Sequence, residues 1–386
     1  MTASRFSLFY ALYFALLGCI APFWGLYLHY LEFSALDIGT LMALFGVVRI
    51  LAPNVWAGQV HRFSGPLSMV RTAGLATLLT FSAVFIARDF WSVAAVMLAY
   101  GFFWAAMLPQ YEVLCMQALN HEIDRYSRVR LWGSLGFIVS VLALGVAFEM
   151  VSVAWLPWVM WALMALIIIN ALGMREQAHS AGKERARFRD VLMQMRCPAV
   201  FGFIVVNVLL QISFGPYYTF FSIFLKDAGY SATLTGILWA LGVMAEVVLF
   251  WQFGRIMHWF SWRGWVVLSL LLTAVRWALT GPVMAHLWGL LLLQLLHAFS
   301  FAVMHAVSMR YVQSLFPARL QGQGQALYSS VGFGLGGAIG AWISGLLWTP
   351  LGGTLVFVLG GLAALVAALL AWWLLPREDG QSRHLS

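Results

Sequence analysis

The feature that most constrains this chain is a series of long apolar runs that recurs from one end to the other. Runs of about 20 residues are what an α-helix needs to cross a hydrocarbon core of roughly 30 Å. No water satisfies backbone N–H and C=O groups inside a bilayer, so each run must bond them internally as a helix. The runs are too long, and alternate too little, for the strands of a membrane barrel. The sequence therefore predicts an all-α membrane protein.

Composition supports this class and argues against others. Of the 386 residues, 62% are hydrophobic and only 9% are charged, which is too few to cover the surface of a soluble domain. Cys19, Cys115 and Cys197 lack the spacing of metal ligands. No Gly-rich phosphate loop with a Lys, nucleophile elbow or zinc motif is present. We therefore predict no cofactor, no metal and no enzymatic activity, and we expect that ATP does not drive the protein.

Hydropathy predicts twelve transmembrane helices. Their predicted bounds are residues 6–30, 38–60, 67–87, 91–119, 130–151, 153–174, 198–225, 233–257, 264–283, 287–314, 322–346 and 352–375. They divide the chain into an N-terminal half (1–174), a cytoplasmic central loop (175–197), a C-terminal half (198–375) and a cytoplasmic tail (376–386). The first run is too long for a cleavable signal peptide.

The basic residues predict the orientation. If the N-terminus is cytoplasmic, Arg88 and Lys226 are the only Lys or Arg residues left on the outer side, as the positive-inside rule requires. Both termini should then face the cytoplasm of a bacterial inner membrane. The net charge of +8 reflects this topology and an attraction to anionic lipid, and we expect no nucleic-acid partner. The protein is expected to work as a monomer in the lipid bilayer.

The two halves contain matching segments. Residues 34–44, from Ser34 to Leu44, resemble residues 231–241, with Ser at the start and Gly39 or Gly236 in the middle. Residues 132–137 resemble residues 328–333 in the same way. These matches predict a parallel duplication of six helices. Two such halves describe the major facilitator fold, with a substrate site expected at their interface near the middle of the membrane.

Several ionisable residues fall inside the predicted helices. A charge at the centre of a membrane helix costs about 2.5–3.5 kcal/mol on insertion scales, so it should face a cavity or a partner. The residues are Arg49, Glu112, Arg130, Glu246 and Arg276, with His297 and His305 as further titratable groups. Three cations against two anions favour a substrate that carries a negative charge, and an Arg fork suits a carboxylate. Structural ion pairs between helices are the alternative interpretation.

Glu112 and Arg130 are expected on neighbouring antiparallel helices, where their side chains can meet. A Glu whose Arg partner is taken by substrate can bind and release a proton, because desolvation then favours its neutral form. Aromatic residues near the charges or near the helix break at Gly215 are candidates to hold the substrate. They are Phe103, Trp104, Tyr111, Trp132, Tyr217 and Tyr218.

Several segments resemble the phenylpropionate permease family of the major facilitator superfamily, over nearly the whole chain. They are Arg49–Trp56, Arg128–Ser134, Gly215–Ser222, Ala245-Glu246-Val247 and Phe253-Gly254-Arg255. Nucleoside–proton symporters and the lactose permease are more distant relatives by this resemblance. The resemblance to lactose permease covers Pro109 and Glu112, Arg128-Val-Arg130, Glu246, Val275-Arg276 and Leu296-His297.

The chain departs from lactose permease at three places. The acidic residue that the permease has three positions after its His is Ser300 here, and a Lys three positions before it is Gln294. The loop after the second helix reads His61-Arg62 in place of an acidic–basic pair. The resemblance therefore implies that Glu246 or Glu112, with His297, would carry the proton.

These observations predict a secondary transporter, and specifically a proton-coupled symporter that imports a small aromatic carboxylate such as 3-phenylpropionate by alternating access. Arg49, Arg130 and Arg276 would bind the carboxylate, with Glu112 beside them. Two alternatives keep the same fold: a proton symporter for a sugar or nucleoside, and an antiporter that exports drugs. A membrane sensor or scaffold would need a large extramembrane domain, which this sequence does not contain.

Overall fold

The computed structural model describes residues 3–120, 122–175 and 193–377, apart from the side chains at positions 54, 57, 60 and 123. The regular structure of these residues is helical. The first ten helices are α1 (Ala3–Tyr30), α2 (Ala35–Gln59), α3 (Pro66–Phe85), α4 (Phe90–Ala118), α5 (Ile123–Met150), α6 (Leu156–Leu172), α7 (Pro198–Asp227), α8 (Ala232–Ile256), α9 (Trp262–Thr280) and α10 (Leu287–Leu315).

The last helical run, Ala318–Leu374, contains two membrane spans. Its 57 residues would extend about 85 Å as one straight helix, far more than a bilayer is thick. Gly352 has a φ of +77°, outside the helical region, and Pro350 lies two residues before it. Glycine accepts this left-handed conformation at low cost. We therefore divide the run into α11 (318–351) and α12 (353–374), which confirms the predicted twelve-helix fold.

Helix α5 begins earlier than hydropathy predicts. The predicted span starts at Arg130, whereas the helix starts at Ile123 with Asp124 in its first turn. An acidic residue there interacts favourably with the positive end of the helix dipole, and a helix can continue beyond the hydrocarbon core. Arg130 is therefore in the third turn of α5. Residues 176–192 of the predicted central loop and residues 378–386 of the predicted tail lie outside the described residues.

The chain forms two compact units. Unit 1 consists of Met1–Ala181, Tyr218–Ala240 and Ser344–Leu346. Unit 2 consists of Gly182–Tyr217, Leu241–Ile343 and Leu347–Ser386. The units thus differ from the halves of the sequence, because the first part of α8 belongs to unit 1 and the rest of α8 belongs to unit 2.

Two equivalent hydrogen-bonded caps, one in each unit, support the predicted duplication. In unit 1, Arg71 on α3 donates to the carbonyl oxygens of Ala171, Leu172 and Met174 at 3.1, 3.1 and 2.6 Å. In unit 2, Arg263 on α9 donates to the carbonyl oxygen of Trp372 at 3.0 Å. Each Arg therefore satisfies carbonyls that have no partner at a helix C-terminus and places a positive charge there.

The turn between α3 and α4 shows how short loops fix a helix start. Asp89 accepts hydrogen bonds from the backbone N–H groups of Trp91 and Ser92 at 3.0 and 3.1 Å. The hydroxyl of Ser92 also donates to the Asp89 carboxylate, and this hydrogen bond lowers the pKa of Asp89. Ionised Asp89 is therefore a stable N-terminal cap for α4.

Helix α7 is broken in its middle, as the Gly215-Pro216 pair predicts. One helical segment ends at Ser213 and the next begins at Gly215. A Cβ atom on Gly215 would clash with the backbone of Gly340 in α11, so only glycine allows the two helices to approach this closely. The break places Tyr217 among the buried residues of unit 2.

The cap on α6 gives a first test of this fold. Substituting Arg71→Ala removes three charge-assisted hydrogen bonds, of which those to Ala171 and Met174 are partly buried and the one to Leu172 is exposed. A shielded hydrogen bond to a charged group contributes about 1.5–3 kcal/mol, and an exposed one contributes less. We expect a clearly lower midpoint of thermal unfolding in detergent, followed by intrinsic tryptophan fluorescence. Arg125→Ala is the control, because Arg125 forms an exposed ion pair with Glu122 at 3.3 Å. Such pairs contribute about 0–1 kcal/mol. Equal midpoints for the two variants would contradict the structural role of Arg71.

Candidate functional site

A buried cluster of polar residues lies in unit 2. Four helices supply it: Tyr217 comes from α7, Glu246 from α8, Arg276 from α9, and Gln294 and His297 from α10. In α10 a π-helical stretch, Ala298–Val303, begins immediately after His297. Such π-helical turns shift the faces of a helix and occur often at functional sites.

Arg276 is the centre of this cluster. It is 0% exposed, and its guanidinium donates to Gln294 Oε1 at 2.9 Å and contacts His297 Nδ1 at 3.0 Å. The guanidinium also lies 4.5 Å from the ring centroid of Tyr217 and 4.2 Å from that of Trp277. Aromatic faces stabilise a desolvated cation in this geometry. The guanidinium is thus enclosed by groups of its own unit.

Gln294, three residues before His297, is held in the cluster by hydrogen bonds that it accepts. Its carbonyl oxygen accepts both from Arg276 and from the hydroxyl of Tyr217, the latter at 3.2 Å. The Lys that lactose permease has at the matching position has donors only and could not accept either bond. The need to accept these two hydrogen bonds therefore explains why Gln294 suits the position at which lactose permease has a Lys.

The contact with Arg276 fixes the protonation of His297. Every guanidinium nitrogen is a donor, so His297 Nδ1 must accept the hydrogen bond and cannot carry a proton. The proton of the neutral ring is then on Nε2, which lies 3.8 Å from Glu246 Oε2. Side-chain exposure is 6% for His297 and 17% for Glu246. The carboxylate is therefore the more accessible of the two titratable groups.

Ser300 replaces the acidic residue of lactose permease and is used differently. Its hydroxyl accepts from Thr273 at 2.9 Å and donates to the carbonyl of Leu296 at 3.1 Å. Both side chains are buried. The nearby His305 contacts the hydroxyl of Tyr328 at 3.3 Å through Nδ1. The ionisable residues of this cluster are therefore Arg276, His297 and Glu246.

A second cluster lies in unit 1 around Arg130. The guanidinium of Arg130 is stacked on α1, 4.1 Å from the ring centroid of Phe14 and 5.4 Å from that of Tyr10. Glu112 accepts a long hydrogen bond, 3.5 Å, from the hydroxyl of Tyr126. The expected direct contact is not formed: among the described residues, Arg130 makes no ion pair with Glu112. The aromatic rings of α1 hold the guanidinium instead.

Aromatic rings form one wall of this cluster. Tyr13 stacks on Trp104 with ring centroids 4.9 Å apart, and Trp104 stacks on Phe45 at 5.9 Å. The hydroxyl of Tyr13 interacts electrostatically with Arg49, Glu112 and Arg130. Arg49, Glu112 and Arg130 therefore all lie near the side chain of Tyr13.

Sequence reasoning missed the contribution of α1. Tyr10, Tyr13 and Phe14 are three and four positions apart, so they share one helix face. This spacing is the sequence pattern that could have indicated the site. The pattern is weak, because 16% of the chain is aromatic and such spacings are common in it. Of the other predicted substrate contacts, Trp132 is 49% exposed and has no ring partner among the described residues. The ring of Tyr218 lies 6.0 Å from that of Trp239 in unit 1, tilted by 37°, whereas the adjacent Tyr217 belongs to unit 2.

Twelve membrane helices with clusters of ionisable residues among them define a membrane transporter of the major facilitator type. The chain belongs to the MFS_1 like family, which it matches over residues 3–359. The family and the relatives below are transporters, so the protein is a transporter and not an enzyme. The expected resemblance to phenylpropionate permeases is confirmed.

Two curated relatives show this similarity in sequence. A probable 3-phenylpropionic acid transporter of Escherichia coli (strain K12) is 30% identical over 76% of this chain and 78% of its own. The maltose permease of Geobacillus stearothermophilus is 24% identical over 70% of this chain and 69% of its own. Among solved structures, the nucleoside transporter NupG superposes with a TM-score of 0.85 at 15% identity, over 97% of this chain and 99% of that chain. At this identity the similarity to NupG shows the fold alone.

The protonation of His297 can be measured directly. We expect the ring to be neutral with its proton on Nε2, because Arg276 donates to Nδ1. Solid-state NMR of protein labelled with ¹⁵N-histidine in lipid reports the state of each ring nitrogen. The spectrum of the variant His297→Asn identifies the signal, which should belong to an Nε2-protonated neutral imidazole. A signal with protons on both nitrogens, or on Nδ1, would contradict the assigned geometry.

Proposed function

We propose that this transporter is a proton-coupled symporter that imports a small aromatic carboxylate, such as 3-phenylpropionate, by alternating access. The observation that carries the proposal is the unequal distribution of charge over the two clusters. The cluster of unit 2 has one cation, Arg276, and one anion, Glu246, beside a neutral His297. The cluster of unit 1 has two cations, Arg49 and Arg130, and one anion, Glu112. Of the two clusters, the one in unit 1 therefore has the excess positive charge.

Arg49 and Arg130 have the free donors that a carboxylate requires. Among the described residues, neither guanidinium forms a hydrogen bond or an ion pair. Arg130 is half-buried against the rings of Phe14 and Tyr10, and Arg49 is exposed. A cation within a membrane helix is costly when its donors are not hydrogen-bonded, and a bound carboxylate offsets part of that cost. The planar guanidinium fork also matches the two oxygens of a carboxylate.

The rings beside these cations suit an aromatic substrate. Phe14 is partly exposed, whereas Tyr10, Tyr13 and Trp104 are buried near it. A phenyl ring can pack on the accessible face of Phe14. The similarity to a probable 3-phenylpropionic acid transporter supports this substrate class. In this proposal Trp132 and Tyr218 remain further candidates for contact with the ring.

Proton coupling is assigned to Glu246. His297 cannot accept a proton on Nδ1 without losing its bond with Arg276, and its Nε2 already carries one. Glu246 is left as the group that can bind and release the proton, with the Nε2–H of His297 oriented towards it. Arg276 and Tyr217, predicted to bind substrate, take a different role here: through Gln294 and His297 they hold this arrangement in place. Glu112 then interacts with the substrate next to Arg130.

The setting of this activity follows from the distribution of basic residues. We place the protein in the bacterial inner membrane with both termini in the cytoplasm, working as a monomer. Aromatic acids released outside the cell would then enter together with protons that move down their gradient.

Uptake by purified protein in liposomes tests the proposal. We expect labelled 3-phenylpropionate to accumulate above its external concentration when the lumen is alkaline, and to stop accumulating after an uncoupler is added. Glu246→Gln should still equilibrate the substrate across the membrane but should not concentrate it. Glu122→Gln is the control, because Glu122 is exposed and paired with Arg125. Accumulation by Glu246→Gln equal to that of the unchanged protein would contradict the assigned proton site.

The carboxylate site is tested separately by Arg49→Gln and Arg130→Gln. Loss of one charge-assisted hydrogen bond of about 1.5–3 kcal/mol corresponds to roughly 10- to 100-fold weaker binding. We expect KM for 3-phenylpropionate to rise by this factor, while Arg125→Gln leaves it unchanged. If both variants transport the acid normally, the site does not lie at these residues.

Maltose, nucleosides and hydrophobic drugs serve as competitors in the same assay. Competition by a sugar or nucleoside, without uptake of any aromatic acid, would favour the alternative symporter, in which Glu112 and Arg130 bind hydroxyl groups. Proton movement opposite to that of an added drug would favour an exporter. Either result would overturn the proposed substrate.

A further inference from the structure

The two matching helix starts in unit 1 are capped in different ways. Helix α2 is capped entirely by its own residues. The hydroxyl oxygen of Ser34 accepts from the backbone N–H of Asp37 at 3.2 Å. The Asp37 carboxylate accepts from the N–H of Ser34 at 3.2 Å and from its hydroxyl at 2.6 Å. This arrangement is a complete capping box within one helix.

Helix α8 has only the serine half of such a capping box. The hydroxyl oxygen of Ser231 accepts from the backbone N–H of Leu234 at 3.2 Å, as Ser34 does for Asp37. The position of the acidic residue, however, is Leu234, so α8 has no carboxylate of its own to complete the box. Its missing carboxylate is supplied by Glu149, at the end of α5, which accepts from the backbone N–H of Thr233 at 2.9 Å.

Helices α5 and α8 touch closely at this place. A Cβ atom on Gly145 would lie 2.8 Å from the carbonyl oxygen of Ala232 and 3.3 Å from the Cα of Gly236. The hydroxyl of Thr233 also lies 3.5 Å from the carbonyl oxygen of Gly145. The hydrogen bond of Glu149 is itself exposed, but it lies one helical turn from this packed contact.

From this difference we infer that Glu149 is a positioning residue of the transport cycle: it caps α8 only while the end of α5 is packed against the start of α8. Separation of the two helices would leave the positive end of the α8 dipole without a carboxylate. The cap therefore stabilises the packed arrangement selectively, which is what shifts an equilibrium between two conformations. Asp37 cannot act in this way, because its bonds are within one helix and persist in any arrangement of α2.

Electron paramagnetic resonance distances between two spin labels test this inference. The labels are placed at Val151 and Ala228, which are both exposed in unit 1, with Cys197→Ser to remove the exposed native cysteine. The unchanged protein should show a main short distance. Glu149→Ala should raise the ratio of long to short distances by about two- to fivefold, the effect of a typical exposed capping carboxylate. Glu149→Gln should give a smaller change in the same direction.

Two further variants separate positioning from simple capping. Asp37→Ala removes the equivalent cap of α2 and should lower thermal stability without changing the distances. Adding Leu234→Asp to Glu149→Ala restores an acidic residue to α8 itself, so thermal stability should recover while the long distances remain.

Unchanged distances in Glu149→Ala would overturn the inference. So would recovery of the short distance by Leu234→Asp, because the cap would then be only a support for α8. The measurement uses no substrate and no proton gradient, so its outcome is independent of the proposed symport.

Discussion

The interaction on which the rest of the structure depends is the enclosure of Arg276. A fully buried guanidinium is tolerated in an apolar interior only if it has hydrogen-bond acceptors and its faces are covered by suitable groups. Gln294 and His297 take its hydrogen bonds, and the rings of Tyr217 and Trp277 cover its faces. This enclosure draws together α7, α9 and α10. It also determines which nitrogen of His297 carries a proton, and this is why we propose Glu246 as the proton-coupling group.

The cluster of unit 1 shows the opposite condition. Arg130 rests on aromatic faces and attracts Glu112 without forming a direct ion pair with it, and Arg49 has no ion pair among the described residues. This cluster therefore has two cations near a single anion. A protein that retains such charges inside its helices bears a cost, which a ligand of opposite charge can offset. The proposed division of work follows from this contrast: unit 1 binds the anion, and unit 2 holds the proton.

Hydropathy was sufficient to predict the twelve helices, because the length of an apolar run is set directly by the thickness of a bilayer. It could not place the start of α5, since the polar turns around Asp124 and Arg128 extend beyond the apolar run. Isolated charges such as Arg276 and Glu246 were also evident from the sequence. Their partners were not: nothing in the spacing shows that Gln294 accepts two bonds, or that Arg130 stacks on Phe14 instead of pairing with Glu112. Those details depend on which helix faces meet.

The central claim is that the carboxylate of the substrate binds to Arg49 and Arg130, the two cations of the cluster in unit 1. A structure with bound 3-(4-bromophenyl)propionate tests it directly, because anomalous scattering from bromine locates the ring independently of the protein. The account predicts the carboxylate within hydrogen-bonding distance of Arg49 or Arg130, with the ring against Tyr13 or Trp104. A carboxylate bound to Arg276, or a ring remote from both Arg49 and Arg130, would contradict it.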